Sequence, residues 1–190
     1  MAVLFFTFVI LNVVHIVTNN MNSSGSDVTD QNVLHPPTEE QMLETEQQGT
    51  YYATIETEAG IIELELAGER MPLTVTNFVN LASANFYHDL VFHRVEDWVI
   101  QGGDPAGTGA GGPGYTINLE THPELLHLRG AVAMARSRNP DSAGSQFFIL
   151  RSDAPWLDGD YAVFGQVTAG MDVVDNITQN TTIHSVMITK

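Results

Sequence analysis

The chain has 190 residues, 43% of them hydrophobic, enough for one domain with a buried core and some chain to spare. Its 23 Asp and Glu against 7 Lys and Arg give a net charge of −16, and a surface this acidic excludes nucleic-acid binding through a basic face and disfavours anionic membranes. There is no cysteine, which excludes disulfide scaffolds, cysteine zinc sites and thiol nucleophiles.

Residues 1–18 form a strongly apolar run, interrupted only by Asn12 and His15. As a helix it would reach about 27 Å, near the lower limit for a bilayer. A signal peptide or membrane anchor is expected, which places the rest of the chain outside the cytoplasm. Translation from Met21 is the alternative and leaves a cytoplasmic protein. No Lys or Arg precedes the run and no A-x-A-like site follows it. Residues 19–50 are rich in Asn, Ser, Gln, Thr and Glu, with Pro36-Pro37 and no basic residue. They read as a flexible, self-repelling linker, within which Thr38 could cap a short helix over 38–47, with Gln41 three residues on.

Residues 51–190 read as the domain. Alternation over 52–58, a turn at Ala59-Gly60 and alternation over 61–66 predict a β-hairpin. Val75, Phe78, Val79 and Ala82 recur at helical spacing, which predicts a helix over 74–83 with Thr74 or Thr76 as its cap. Short strand-like pieces follow at 91–93, 99–101, 115–118, 131–135, 146–150, 162–167 and 185–189, separated by Gly- and Pro-rich turns. A second short helix is expected over 171–177, after Gly170. Many short strands with two helices predict a mainly β fold, a barrel or sandwich with helical caps.

Most local motifs carry little chemistry. The loop GGDPAGTGAGGPG at 102–114 holds G-x-G-x-x-G twice, but leads into a strand-like segment rather than a helix, so it does not read as a dinucleotide site. His122-Pro123-Glu124-Leu125-Leu126-His127 lacks zincin spacing, and no metal site is expected. Sequons at Asn22, Asn176 and Asn180 matter only in a glycosylating secretory pathway.

One constellation stands apart. Strand alternation puts Phe92 and Arg94 on one face, Val99 and Gln101 on another, and Gln146 and Phe148 on a third. If these faces converge, they enclose an apolar pocket with one cation and two amides. Such a pocket has no nucleophile, base or metal and is suited to binding and polarising a neutral ligand. An Arg on an apolar face argues against a purely structural role.

With FHR, VIQGGD, GTGAGGPGY, AMAR, SAGSQFFI, WLDG and VFG in order, residues 51–190 resemble the cyclophilin family of peptidyl-prolyl cis-trans isomerases, especially its short bacterial type. The resemblance implies a closed eight-stranded antiparallel barrel capped by two α-helices. It implies catalysis of X–Pro isomerisation in protein folding, without a cofactor, on proline-containing peptides and unfolded proteins. Arg94 matches the catalytic arginine and Gln101 the glutamine beside it. Val99, Phe148 and Leu157 match the proline-pocket walls, with Trp98 where the family usually has Phe. Ala135, Gln146 and Gly109 match groove positions. Arg136 stands where many members have Asn, and Tyr161 where many have His. Trp156 matches the position tied to cyclosporin binding, so a cyclosporin-like ligand is expected, and a monomer. A non-catalytic peptide-binding or chaperone-like module on the same fold is the alternative. Its motive is the segment from Arg94 to Trp98, one residue shorter than the family's R-V-I-P-G-F. A one-residue slip in a strand turns every later side chain over, so the loop must absorb the deletion for Val99 and Gln101 to face the site.

Overall fold

The computed structural model describes residues 33–190; the expected signal or anchor over 1–18, the first part of the linker and Asn22 lie outside them. Eight antiparallel strands form one sheet: β1 (Thr50–Thr57), β2 (Gly60–Ala67), β3 (Arg94–Glu96), β4 (Val99–Gly102), β5 (Ala131–Met134), β6 (Phe147–Leu150), β7 (Val163–Ala169) and β8 (Ile183–Thr189). Three helices accompany them: α1 (Glu39–Gln48), α2 (Pro72–Ser83) and α3 (Met171–Asn176). The strand order is β3-β4-β6-β5-β7-β2-β1-β8.

The expected closed barrel overstates the closure. The edge strands β3 and β8 share no ladder, and the sheet is a curled half-barrel. The chain just before β3 draws the seam together instead. Val91 bridges Thr182, Phe92 N–H donates to Thr181 O, and Ile183 N–H donates to Leu90 O. The cause is length: β3 has three residues against seven in β8. Register shifts at Glu56/Thr57, Glu63/Leu64 and Val132/Ala133 mark irregularities of the kind that bend strands and give a sheet its curl.

Inside the curl, alternate residues of each strand meet α2. Ile55, Ile62, Leu64, Leu66, Ile100, Val132, Phe147, Ile149 and Phe164 pack with Val75, Phe78 and Leu81. Phe78 lies 5.2 Å from both Tyr87 and Phe164 and edge-on to Phe147 at 5.6 Å, spacings at which aromatic quadrupoles attract. Phe92 belongs here too, at 6.2 Å from Phe147. The expectation that Phe92 shares a face with Arg94 fails because regular strand begins only at Arg94, so alternation does not carry back across His93.

The helices offered over 38–47, 74–83 and 171–177 are all present, the first in addition to the two that the family resemblance implies, and the cap of α2 differs from expectation. In α1 the predicted Thr38/Gln41 capping box is formed in both directions. Thr45 of α1 is buried and accepts a hydrogen bond from the Thr76 hydroxyl of α2 at 2.7 Å. The stretch read as linker up to residue 50 therefore contains, from Glu39, a helix packed on α2. Neither Thr74 nor Thr76 caps α2. The Glu120 carboxylate does so from a distant loop, accepting from Leu73 N–H at 3.1 Å and Thr74 N–H at 2.8 Å. A carboxylate at that end satisfies two orphan donors and complements the helix dipole. The hairpin turn falls at Glu58-Ala59, with Thr57 opposite Gly60. Residues 115–118 form a single bridge, Ile117 to Ala143, rather than a strand.

Candidate active site

The other face of the same strands carries a second apolar cluster. Val99, Ala131, Ala133, Phe148, Leu150, Ala154 and Val163 are buried there, with Trp98, Ala135, Leu157 and Tyr161 packed against them. Alternation produces it directly. Phe147 and Ile149 point into the curl, while Phe148 and Leu150 point out of it.

The β3–β4 hairpin sets the register of this face. Arg94 pairs with Gln101, Val95 with Ile100 and Glu96 with Val99, around the two-residue turn Asp97-Trp98. Val95 and Ile100 pack inward, and Val99 outward. The short segment thus closes as a tight hairpin, and the missing residue is absorbed in the turn without turning the later side chains over. Across β4, Gln101 pairs with Phe148, which pairs in turn with Ala133.

These residues line a cavity of about 110 Å³. Arg94, Trp98, Val99 and Gln101 come from the hairpin, Ala135 and Arg136 from beyond β5, Phe148 from β6, and Leu157 and Tyr161 from the segment before β7. A wider cleft of about 320 Å³ adjoins it, sharing Gln101, Ala135 and Arg136 and adding Gln146 and the 109–113 loop. Gly109 lies on that loop. Of the expected site residues only Trp156 lines neither space. It is exposed and stands edge-on to Trp98 at 5.8 Å, on the outer rim.

Phe148, Tyr161 and His127 support one another behind the pocket. Phe148 lies edge-on to Tyr161 at 5.9 Å and parallel to His127 at 6.1 Å. His127 is buried, and its Nδ1 meets Asp158 Oδ1 at 2.8 Å. Burial pushes the imidazole below its ordinary value, against the pull of the Asp158 carboxylate. The ring is therefore a neutral brace near pH 7, with Nδ1–H donating to Asp158. On the opposite wall the Arg136 guanidinium lies over Tyr161 at 4.5 Å and donates to Asp160 O at 2.8 Å.

A directed chain of hydrogen bonds crosses the site. Arg94 Nη1 donates to Gln101 Oε1 at 3.2 Å, and Gln101 Nε2 donates to Gln146 Oε1 at 2.9 Å. Gln146 Nε2 donates to Gly109 O at 3.0 Å and Gly111 O at 2.9 Å. The loop carrying those carbonyls is gathered around Asp104, whose carboxylate accepts from the N–H groups of Ala106, Thr108 and Gly109 at 2.8, 2.9 and 2.5 Å. Burial pushes the Asp104 carboxyl up, but the backbone donors of Ala106, Gly111, Gly109 and Thr108 outweigh it and hold it below the usual range.

Glu96 was legible in the sequence only as an added loop charge. Its Oε1 accepts from Arg94 Nε at 2.7 Å and its Oε2 from Trp98 Nε1 at 2.8 Å. The signal that could have found it is strand alternation, which puts residue 96 on the same side as Arg94. Arg94 Nη2 has no hydrogen-bond partner among the described residues. The guanidinium is thus held on one side and keeps free donors on the other.

Comparisons with known proteins point to one family. The family described as cyclophilin type peptidyl-prolyl cis-trans isomerase/CLD matches residues 52–190. A peptidyl-prolyl cis-trans isomerase of Helicobacter pylori is 46% identical over 151 residues, covering 77% of this chain and 92% of that protein. Peptidyl-prolyl cis-trans isomerase B of Bacillus subtilis is 46% identical over 129 residues, covering 67% of this chain and 90% of its own length. Among solved structures, a cyclophilin type isomerase of Cryptosporidium parvum, crystallised in the presence of the dipeptide Ala-Pro, superposes with a TM-score of 0.69 at 33% identity, covering 73% of this chain and 99% of that one.

Proposed function

The chain belongs to the cyclophilin-type peptidyl-prolyl cis-trans isomerases, and we propose that it turns X–Pro bonds by donating from Arg94 to the proline nitrogen over the pocket floored by Phe148. Rotation about a peptide bond is opposed by a barrier of about 18–20 kcal/mol, because resonance stiffens the C–N bond. At the top of that barrier the amide is twisted and conjugation is lost. The nitrogen becomes pyramidal and regains a lone pair. A guanidinium beside it donates more strongly to that lone pair than to the planar amide, so the transition state is bound better than the ground state.

The observation that carries this reading is the Arg94 guanidinium on a small cavity walled by Val99, Phe148 and Leu157, tied to Gln101 and Glu96 and with no partner for Nη2 among the described residues. The cavity suits a proline ring, with Phe148, Val99 and Leu157 as walls and Trp98 at the mouth. Held there, the ring stays still while the acyl side rotates. Gln101 orients Arg94, and the wider cleft beside Gln146, Ala135, Arg136 and Gly109 receives the residues preceding proline. Trp156, exposed on the rim, is suited to contact with a cyclosporin-like macrocycle. No bond is made or broken and no cofactor takes part.

Natural substrates on this reading are proline-containing peptides and unfolded chains, met by a monomer. The apolar run 1–18 supports action outside the cytoplasm, which fractionation of cells expressing the full chain tests. The test of the activity is a protease-coupled isomerisation assay on the full chain beside Arg94→Ala. Turnover that collapses in a folded Arg94→Ala variant supports the mechanism. Turnover near the wild-type rate in that variant refutes it. Peptide binding without turnover in the wild type makes the chain a binding module.

A further inference from the structure

We propose that Glu96 is a positioning residue for the isomerisation, one that aims the Arg94 guanidinium and fixes the Trp98 wall at the same time. The inference rests on the role assigned to Arg94 above. Its basis is the division of labour between the two carboxylate oxygens. One accepts from Arg94 Nε at 2.7 Å and the other from Trp98 Nε1 at 2.8 Å. A counter-charge alone needs no bond to an indole. Two oxygens committed to two different side chains define the plane and direction of both. The Arg94 Cζ consequently sits 5.5 Å from the Trp98 ring centre, within cation–π range.

Without Glu96, Arg94 keeps one side-chain bond, the 3.2 Å contact to Gln101. A side chain that is 42% exposed and has several rotatable bonds does not hold a single orientation on one long hydrogen bond. The carboxylate is itself held by a rigid turn. Glu96 ends β3, paired with Val99, and Trp98 is the second residue of the two-residue turn that follows it. Arg151 clamps both sides of that loop, its backbone N–H donating to Trp98 O at 2.8 Å and its Nη1 to Glu96 O at 3.2 Å. The same guanidinium is anchored on Val174 O and Ile177 O at the end of α3. The shortened segment is thus a braced hairpin whose turn brings an aligning carboxylate to the arginine.

A guanidinium that bonds nitrogen only in the twisted state contributes to kcat, so misaligning it lowers kcat more than it raises KM. Glu96→Ala in the full chain is expected to lower kcat about tenfold, the scale of one charge-assisted hydrogen bond, with KM changed less than about threefold. Glu96→Gln retains one acceptor oxygen for one of the two donors and is expected to recover part of the loss. In ¹H–¹⁵N spectra the Trp98 indole and Arg94 Nε–H resonances are expected to move in Glu96→Ala and to shift less in Glu96→Gln. Arg94→Ala is measured in parallel. Wild-type kcat in Glu96→Ala, or a change confined to KM, overturns the inference while an inactive Arg94→Ala leaves the catalytic reading standing. Full turnover by Arg94→Ala refutes the catalytic reading and this inference with it.

Discussion

Gln101 donates from Nε2 to Gln146 Oε1 at 2.9 Å, and that one bond settles the direction of both amides. Gln146 uses its Nε2 on the carbonyls of Gly109 and Gly111, so its oxygen must face Gln101. Gln101 must then present its own oxygen to Arg94. The amide that orients the cation is itself oriented by the glycine loop.

Gln146→Leu tests this relay. Leucine has a similar volume but no amide, so Gln101 is free to turn its NH₂ toward Arg94. The expected outcome is a loss of about tenfold in kcat/KM, comparable to one charge-assisted hydrogen bond. The unfolding temperature should shift little, since Gln146 is only half-buried. The coupled assay and a thermal melt measure both. Unchanged kcat/KM removes the relay from the mechanism.

Phe148→Ala should affect stability and binding together. The ring is 5% exposed, braced by His127 and Tyr161, and faces the pocket on its open side. Removing a buried Phe costs about 3–5 kcal/mol, and the lower end fits a ring with one side on an existing cavity. Urea denaturation reads the stability. A KM raised with kcat less affected reads the lost wall. A stability loss below about 1 kcal/mol would place Phe148 outside the packed core.

How far the sequence was legible follows the range of each interaction. Alternation over 99–101 and 146–150 put Val99 with Gln101 and Gln146 with Phe148, and the pairing of β4 with β6 brings Gln101 and Phe148 together. It failed at Phe92, where an irregular step precedes β3 and breaks the period. The capping box at Thr38 is a four-residue signal and was readable. The Glu120 cap spans 46 residues and leaves no local trace. The openness of the sheet was hidden for the same reason, since it depends on whether β3 and β8, far apart in sequence, find enough residues to pair.

Glu120→Gln separates fold from function. Glu120 caps α2 through Leu73 N–H and Thr74 N–H and lines neither the pocket nor the cleft. Glutamine keeps one acceptor and loses the charge at the helix N-terminus, for a cost of about 1 kcal/mol. Chemical denaturation should show that loss, while kcat/KM stays within about twofold of wild type. A larger fall in activity would mean that α2 transmits strain to the site.

Asp104 makes the glycine loop sensitive to acid. Its carboxyl lies below its ordinary value in the folded chain, so the unfolded chain takes up the proton first as pH falls. The stability it contributes is complete above the unfolded value, about pH 4, and is lost as pH drops through the lower folded value. Asp104→Asn keeps one acceptor but turns an NH₂ toward backbone donors, leaving at least one N–H unpaired near a residue that is 1% exposed. At pH 7 the variant should be less stable by about 1–3 kcal/mol, the cost of an unsatisfied buried donor. The gap between wild type and variant should narrow as pH is lowered below about 4, because the wild type alone loses this charge. Urea midpoints for both proteins at pH 7, 4 and 3 measure the gap. A gap that stays constant with pH would show that the carboxylate charge plays no part in holding the loop. The activity of Asp104→Asn at pH 7 should fall as well, because the Gly109 and Gly111 carbonyls that anchor Gln146 lose their fixed positions.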